Sequence, residues 1–189
     1  MKRTSTDWPP ECCVPAFFEA ALGILGYSSP ERAIMSRGLN VHVGPADENP
    51  FDLDVSVDPY SRGLDPVRSV DAIEAFFARV APSIGFCYVP FNKIAFEMYQ
   101  EVARQALING CVVGVGLCPK TLTLPALTDR RHVIRLCKVE GEHAYFVDDS
   151  KSEPAQVRAL WETIEHAVKV VNGGFWILGA RKSLSLEYC

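Results

Sequence analysis

Short apolar segments separated by turn residues constrain the fold of this chain most strongly. Residues 132–139 and 143–148 have the pattern of two strands joined by a tight turn around Gly141. Three other segments have the length and apolar content of strands: 84–90, 111–117 and 174–179. Successive strands joined by tight turns pair in the antiparallel sense. The sequence therefore predicts a mostly antiparallel sheet.

Segments with helical periodicity surround these strands. The first predicted helix begins near Glu11 or Cys12 and runs to about Leu25, before Gly26, a residue common at helix C-terminal caps. Further helices are predicted at about 30–37, 69–80, 95–109 and 154–171. Helices come first, and a sheet with one inserted helix follows. That order predicts an α+β domain.

The length of 189 residues suits one ordinary domain, so we expect a single domain over 1–189. Residues 1–10 are a polar lead whose two positive charges precede no apolar core, unlike a signal peptide. Residues 44–67 contain several prolines and many acidic residues and predict a long irregular surface segment. Such long loops are often functional, although a solvated excursion without a role is the alternative.

Composition and charge exclude several classes of protein. With 48% hydrophobic and 22% charged residues, the chain is not globally disordered. The net charge of -4 and the lack of a basic stripe argue against a nucleic-acid partner. No apolar run approaches the ~20 residues of a membrane span. Neither the paired spacings of zinc sites nor a complete dinucleotide loop is present, so no metal or cofactor is expected.

The seven cysteines form an odd set, which suits a reducing compartment better than a disulfide framework. We therefore expect a cytoplasmic protein, with export or delivery without a leader left open. The sequence does not specify the oligomeric state.

A cysteine at the start of the first helix is the first candidate for chemistry. Cys13 precedes Val14-Pro15, in or beside the first helical turn. The positive end of the helix dipole and the unpaired N–H groups there favour the nucleophilic thiolate. Cys12 is the alternate sulfur. The other interpretation is a pair of small buried residues at a helix start.

The hairpin at 132–148 provides the second candidate. His132 opens one strand, and the return strand ends in Asp148-Asp149, so either carboxylate can face the imidazole, depending on the turn length. A carboxylate there fixes the tautomer of a catalytic histidine. The same acidic pair also suits a turn and a helix cap. The remaining histidines are weaker candidates: His42, His143 and His166.

Read together, these segments resemble the C39-like branch of the papain-like cysteine peptidases. The resemblance covers roughly 11–27, with Cys13-Val-Pro-Ala-Phe-Phe, and 95–149, where a strand and a loop lead to His132 and then Asp148. It implies that Cys13 is the nucleophile, His132 the base and later the acid, and Asp148 the orienting residue, with Asp149 as the alternate. It also implies a papain-like fold whose first helix carries the nucleophile.

Two positions depart from the family's pattern. Val14 stands where the family usually has Gly, and Asp7 stands where the family has a Gln that donates to the oxyanion. An ionised Asp would repel an oxyanion, and losing one such donor costs ~100- to 1000-fold in rate. Backbone N–H groups near Cys13 and the indole N–H of Trp8 are the other oxyanion candidates.

The resemblance implies a cysteine hydrolase or acyl-transfer enzyme that acts on amide or peptide bonds of a peptide or protein substrate. The irregular segment at 44–67 and the loop at 118–131 would flank its cleft. Two alternatives remain: an inactive papain-like module that binds protein or peptide, and a redox sensor based on Cys12 or Cys13.

Overall fold

Six strands form one antiparallel sheet in the computed structural model. The strands are β1 Ile84–Pro90, β2 Val112–Leu117, β3 His132–Glu140, β4 His143–Val147, β5 Gln156–Leu160 and β6 Gly174–Ala180. Their order across the sheet is β1-β6-β2-β3-β4-β5, and every neighbouring pair is antiparallel. The structure describes residues 13–31, 34–35, 38–39, 69–122, 131–151 and 156–184.

Within the described ranges, four α-helices of ten or more residues cover the two faces of this sheet. They are α1 Cys13–Ile24, α2 Val70–Val80, α3 Phe96–Ile108 and α4 Trp161–Val170. Helices α1 and α2 share one buried cluster with residues such as Phe86 and Trp176 of the sheet. Helices α3 and α4 share a second cluster with residues such as Val115 and Phe175. The described part of the chain is therefore an α+β structure of three layers, which confirms the predicted class.

The first helix is seated on the sheet through a glycine. A Cβ atom at Gly114 in β2 would lie 2.9 Å from the ring of Phe17 and 3.0 Å from Val133. The missing side chain lets the Phe17 ring approach the backbone of β2 closely, and Phe17 itself is fully buried. Cys13 is one helical turn before Phe17, on the same side of α1. This contact therefore sets where Cys13 lies over the sheet.

The predicted helix over 154–171 was wrong in its first part. Residues 156–160 form strand β5, which pairs with β4 from Val147↔Gln156 to His143↔Leu160. Burial alternates along β5, with Val157 and Ala159 half-buried between exposed neighbours, and that period of two is typical of an edge strand. Helix α4 begins only at Trp161, whose backbone N–H donates to the Glu142 carbonyl at 2.8 Å.

Several predictions fall outside the described residues. They are the polar lead at 1–10 and the irregular segment at 44–67, together with half of the short helix at 30–37 and the loop stretch 123–130. The domain organisation over 1–189 stays a prediction. Among the helices of the described ranges, none has the length and apolar character that a bilayer crossing requires.

Candidate active site

Cys13 is the first residue of α1, and its side chain is 8% exposed. Pro15 sits in the first turn, where a missing N–H removes no helical hydrogen bond. The backbone N–H groups of this turn have no partner within the helix, and the helix dipole adds positive potential around the sulfur. Cys13 is a free thiol. The start of α1 thus places a free thiol at the positive end of the helix dipole.

His132 lies between this thiol and a carboxylate. It is the first residue of β3 and pairs with Leu117 at the end of β2. Its Nε2 atom lies 3.0 Å from Oδ2 of Asp148, and its ring is also hydrogen-bonded to Cys13. Because Asp148 engages Nε2, Nδ1 is the nitrogen left for the sulfur. The structure therefore brings together Cys13, His132 and Asp148.

The charges of this group reinforce one another. Burial opposes a charged imidazolium, but hydrogen bonds and electrostatic attraction from Asp148 and Cys13 outweigh it and raise the pKa of His132 to about 10. Burial also opposes ionisation of Asp148, yet contacts with His132 and Ser150 hold the pKa of Asp148 below its usual value. His132 is thus protonated and Asp148 ionised at neutral pH, which places a positive charge beside the Cys13 sulfur.

Ser150 fixes the second oxygen of Asp148. Oδ1 of Asp148 accepts a hydrogen bond from the Ser150 hydroxyl at 2.6 Å and another from its backbone N–H at 3.1 Å. Ser150 is 4% exposed, so this contact is shielded from water. The residue type alone does not identify Ser150 as a partner of Asp148. The sequence signal for this contact is the Asp-x-Ser spacing, which is typical of a turn closed by the aspartate side chain.

The alternate carboxylate, Asp149, is bound elsewhere. Arg135 holds it with two short contacts, Nε to Oδ2 and Nη2 to Oδ1, each 2.8 Å. Burial raises the pKa of Asp149, and the Arg135 guanidinium opposes that rise. His132 contacts Asp148 and not Asp149. Of the two carboxylates that the hairpin offered, Asp148 is therefore the one at the imidazole.

Arg131 anchors the chain immediately before His132. Its Nη2 atom donates to the carbonyls of Val171 at 3.0 Å and Asn172 at 2.8 Å, at the C-terminal end of α4. A cation is favoured there by the helix dipole as well as by the two carbonyls. This contact was not anticipated, because it joins a loop to a helix end that is distant in sequence.

Four of the remaining candidates lie outside the described residues: Asp7, Trp8, Cys12 and His42. His143 is the first residue of β4 and is half-buried, and His166 is exposed on α4. Within the described ranges, no three His, Cys, Asp or Glu side chains are arranged to hold a metal ion.

The described cysteines are in two chemical states. Cys13, Cys111, Cys118 and Cys137 are free thiols, whereas Cys87 is disulfide-bonded. Cys87 thus departs from the expectation that a reducing compartment leaves the cysteines as thiols.

No protein-family model matches the chain, and a search of curated proteins finds no match either. The chemistry of the site therefore rests on its own geometry.

Proposed function

We propose that this protein is a cysteine hydrolase or acyl-transfer enzyme of papain-like type, acting on amide or peptide bonds through Cys13, His132 and Asp148. The observation that carries the proposal is the position of His132, hydrogen-bonded to Cys13 on one side and to Asp148 at 3.0 Å on the other. A nucleophile, a base and an orienting group in contact are the parts that nucleophilic catalysis requires.

In the first half of the reaction, the thiolate of Cys13 attacks the carbonyl carbon of the substrate and forms a tetrahedral oxyanion. The backbone N–H groups at the start of α1 are the candidate donors to that oxygen. His132 gives its proton to the leaving amine as the carbon–nitrogen bond breaks. The products of this half are a free amine and a thioester on Cys13.

In the second half, neutral His132 takes a proton from water or from another acceptor as that molecule attacks the thioester. The carbon–sulfur bond breaks, releasing a carboxylic acid or a transferred acyl group and restoring the thiolate. Asp148 remains ionised throughout. Its contact with Nε2 keeps Nδ1 directed at the sulfur and stabilises the imidazolium in both halves.

An activated ester tests the proposal whatever the natural substrate is. With p-nitrophenyl acetate, we expect a burst of nitrophenol equal to the enzyme concentration, and peptide mapping should find the acetyl group on Cys13. Cys13→Ser should abolish the burst, and His132→Ala should slow it about 100-fold or more.

The matched control is Cys111→Ala, which removes another buried free thiol. Cys111 lies just before the start of β2, at the end of that strand away from His132. It should keep the full burst. Acetylation spread over several cysteines, or a burst that survives Cys13→Ser, would reject the enzyme proposal. A Cys13 that acylates but never turns over would favour the binding module.

A further inference from the structure

Strand β3 contains an irregularity that determines which aspartate meets His132. Near the turn, Glu140 pairs with His143 and Lys138 with Tyr145, but beyond it Arg135 pairs with Val147. The register shifts between Leu136 and Lys138, so Cys137 is the extra residue of a β-bulge.

The bulge changes which side chains share a face of the hairpin. A regular ladder continued from the turn would pair Arg135 with Asp148. Directly opposed residues point to the same face, and neighbours along a strand point to opposite faces. With the bulge, Asp149 lies on the face of Arg135 and Asp148 on the other. The contacts agree, since Arg135 binds Asp149 and His132 binds Asp148.

The ion pair between Arg135 and Asp149 is largely shielded from solvent. The Asp149 side chain is 9% exposed and that of Arg135 is 20% exposed. The guanidinium holds both carboxylate oxygens, a geometry that is specific as well as strong. Without its cation, Asp149 would be a buried carboxylate directly beside a second one, an arrangement that favours rearrangement or protonation.

We infer that Arg135 is a positioning residue, which holds Asp149 on the opposite face of the hairpin and so keeps Asp148 as the carboxylate that meets His132. This role rests on the proposed function, because the choice of carboxylate matters to catalysis only if Cys13 and His132 react. Arg135 itself contacts Asp149 and Cys137 and takes no part in bond making.

The test is the titration of the His132 imidazole, followed by NMR in the intact protein. In the native chain, contacts with Asp148 and Cys13 outweigh burial and place the pKa of His132 at about 10. Loss of the Arg135 cation, or a freed Asp149 carboxylate, would by itself raise the midpoint. Because displacement of Asp148 removes the hydrogen bond that holds the imidazolium, Arg135→Gln should instead lower the midpoint by about one unit or more, equivalent to a tenfold weaker hold on the proton. The double variant Arg135→Gln with Asp149→Asn should restore it, because the competing carboxylate is then gone.

Arg104→Gln is the matched control, since it breaks the exposed ion pair with Glu101 on α3 and should leave the titration unchanged. If Arg135→Gln does not fold, Arg135→Lys keeps the charge without the two-pronged contact and should give a smaller fall. An unchanged or raised midpoint in the folded variant, or a double variant as low as the single one, would overturn the inference. The readout needs no substrate, so failure of the burst experiment would leave it interpretable.

Discussion

Replacing Asp148 by Asn should remove a part of the stability that depends on pH. Although burial disfavours the imidazolium, Asp148 and Cys13 together raise the pKa of His132 from 6.5 to about 10. Asparagine keeps the size and a carbonyl acceptor but carries no charge. It therefore holds the imidazolium much less strongly than a carboxylate does.

The magnitude follows from the contact between the two charges. Folding raises the pKa of His132, and a hydrogen bond to a charged group contributes about 1.5–3 kcal/mol. We therefore expect Asp148→Asn to cost about 2 kcal/mol. Because the pKa of His132 is raised by folding, its contribution is complete below 6.5 and is lost as the pH rises toward about 10.

The pKa of Asp148 is lowered by folding, so its own contribution is lost as the pH falls below the ordinary value of 3.8. The destabilisation by Asp148→Asn should therefore be largest between about pH 4.5 and 6.5 and should shrink toward pH 10.

Urea unfolding followed by circular dichroism measures this free energy. The difference between native protein and Asp148→Asn is determined at about pH 5.5, 7.5 and 9.5. Arg104→Gln serves as the control, because an exposed pair contributes about 0 to 1 kcal/mol. A destabilisation by Asp148→Asn that is the same at all three pH values would refute the ion-pair reasoning.

Further substitutions test the parts that position the site. Gly114→Ala puts a methyl group against Phe17 and should cost about 1–3 kcal/mol in thermal or urea unfolding, while slowing alkylation of the displaced thiol at the start of α1. Gly23→Ala in the same helix meets nothing within 4 Å and should instead stabilise by about 0.5–1 kcal/mol; equal effects would contradict the packing argument. Ser150→Ala removes the hydroxyl that donates to Asp148 and should cost about 1–3 kcal/mol. It should also lower the pKa of the His132 imidazole measured by NMR. An unchanged midpoint there would mean that the serine does not support the carboxylate.

Local sequence patterns predicted most of the fold in the described ranges. Strand β1 has the predicted bounds, and α2, α3, β2, β3, β4 and β6 differ by one or two residues at their ends. These elements are long or apolar enough for periodicity and glycine stops to mark them. Strand β5 was missed because five residues at a sheet edge bury little surface, and Pro154 imitated the start of a helix.

The sequence could predict contacts in the candidate site only where both partners lie in one short segment. The hairpin pattern predicted that His132 contacts one of two aspartates. Which of the two it contacts depends on a β-bulge, and no local sequence pattern indicated that bulge. Cys13 meets His132 because α1 is seated on Gly114, a contact between distant parts of the chain. Arg131 acts through a contact of that kind too, whereas Ser150 contacts Asp148 only two residues away, where the Asp-x-Ser spacing was the available signal.

The central claim is that Cys13 is a nucleophile activated by His132, and alkylation by iodoacetamide tests it most directly. Rates at each described free cysteine are measured by mass spectrometry from about pH 5 to 9, in native protein and in His132→Ala. We predict that at about pH 6 Cys13 reacts at least about tenfold faster than Cys111, Cys118 or Cys137, and that His132→Ala removes this advantage. Alkylation of Cys13 no faster than that of the other thiols, or unaffected by His132→Ala, would contradict the claim.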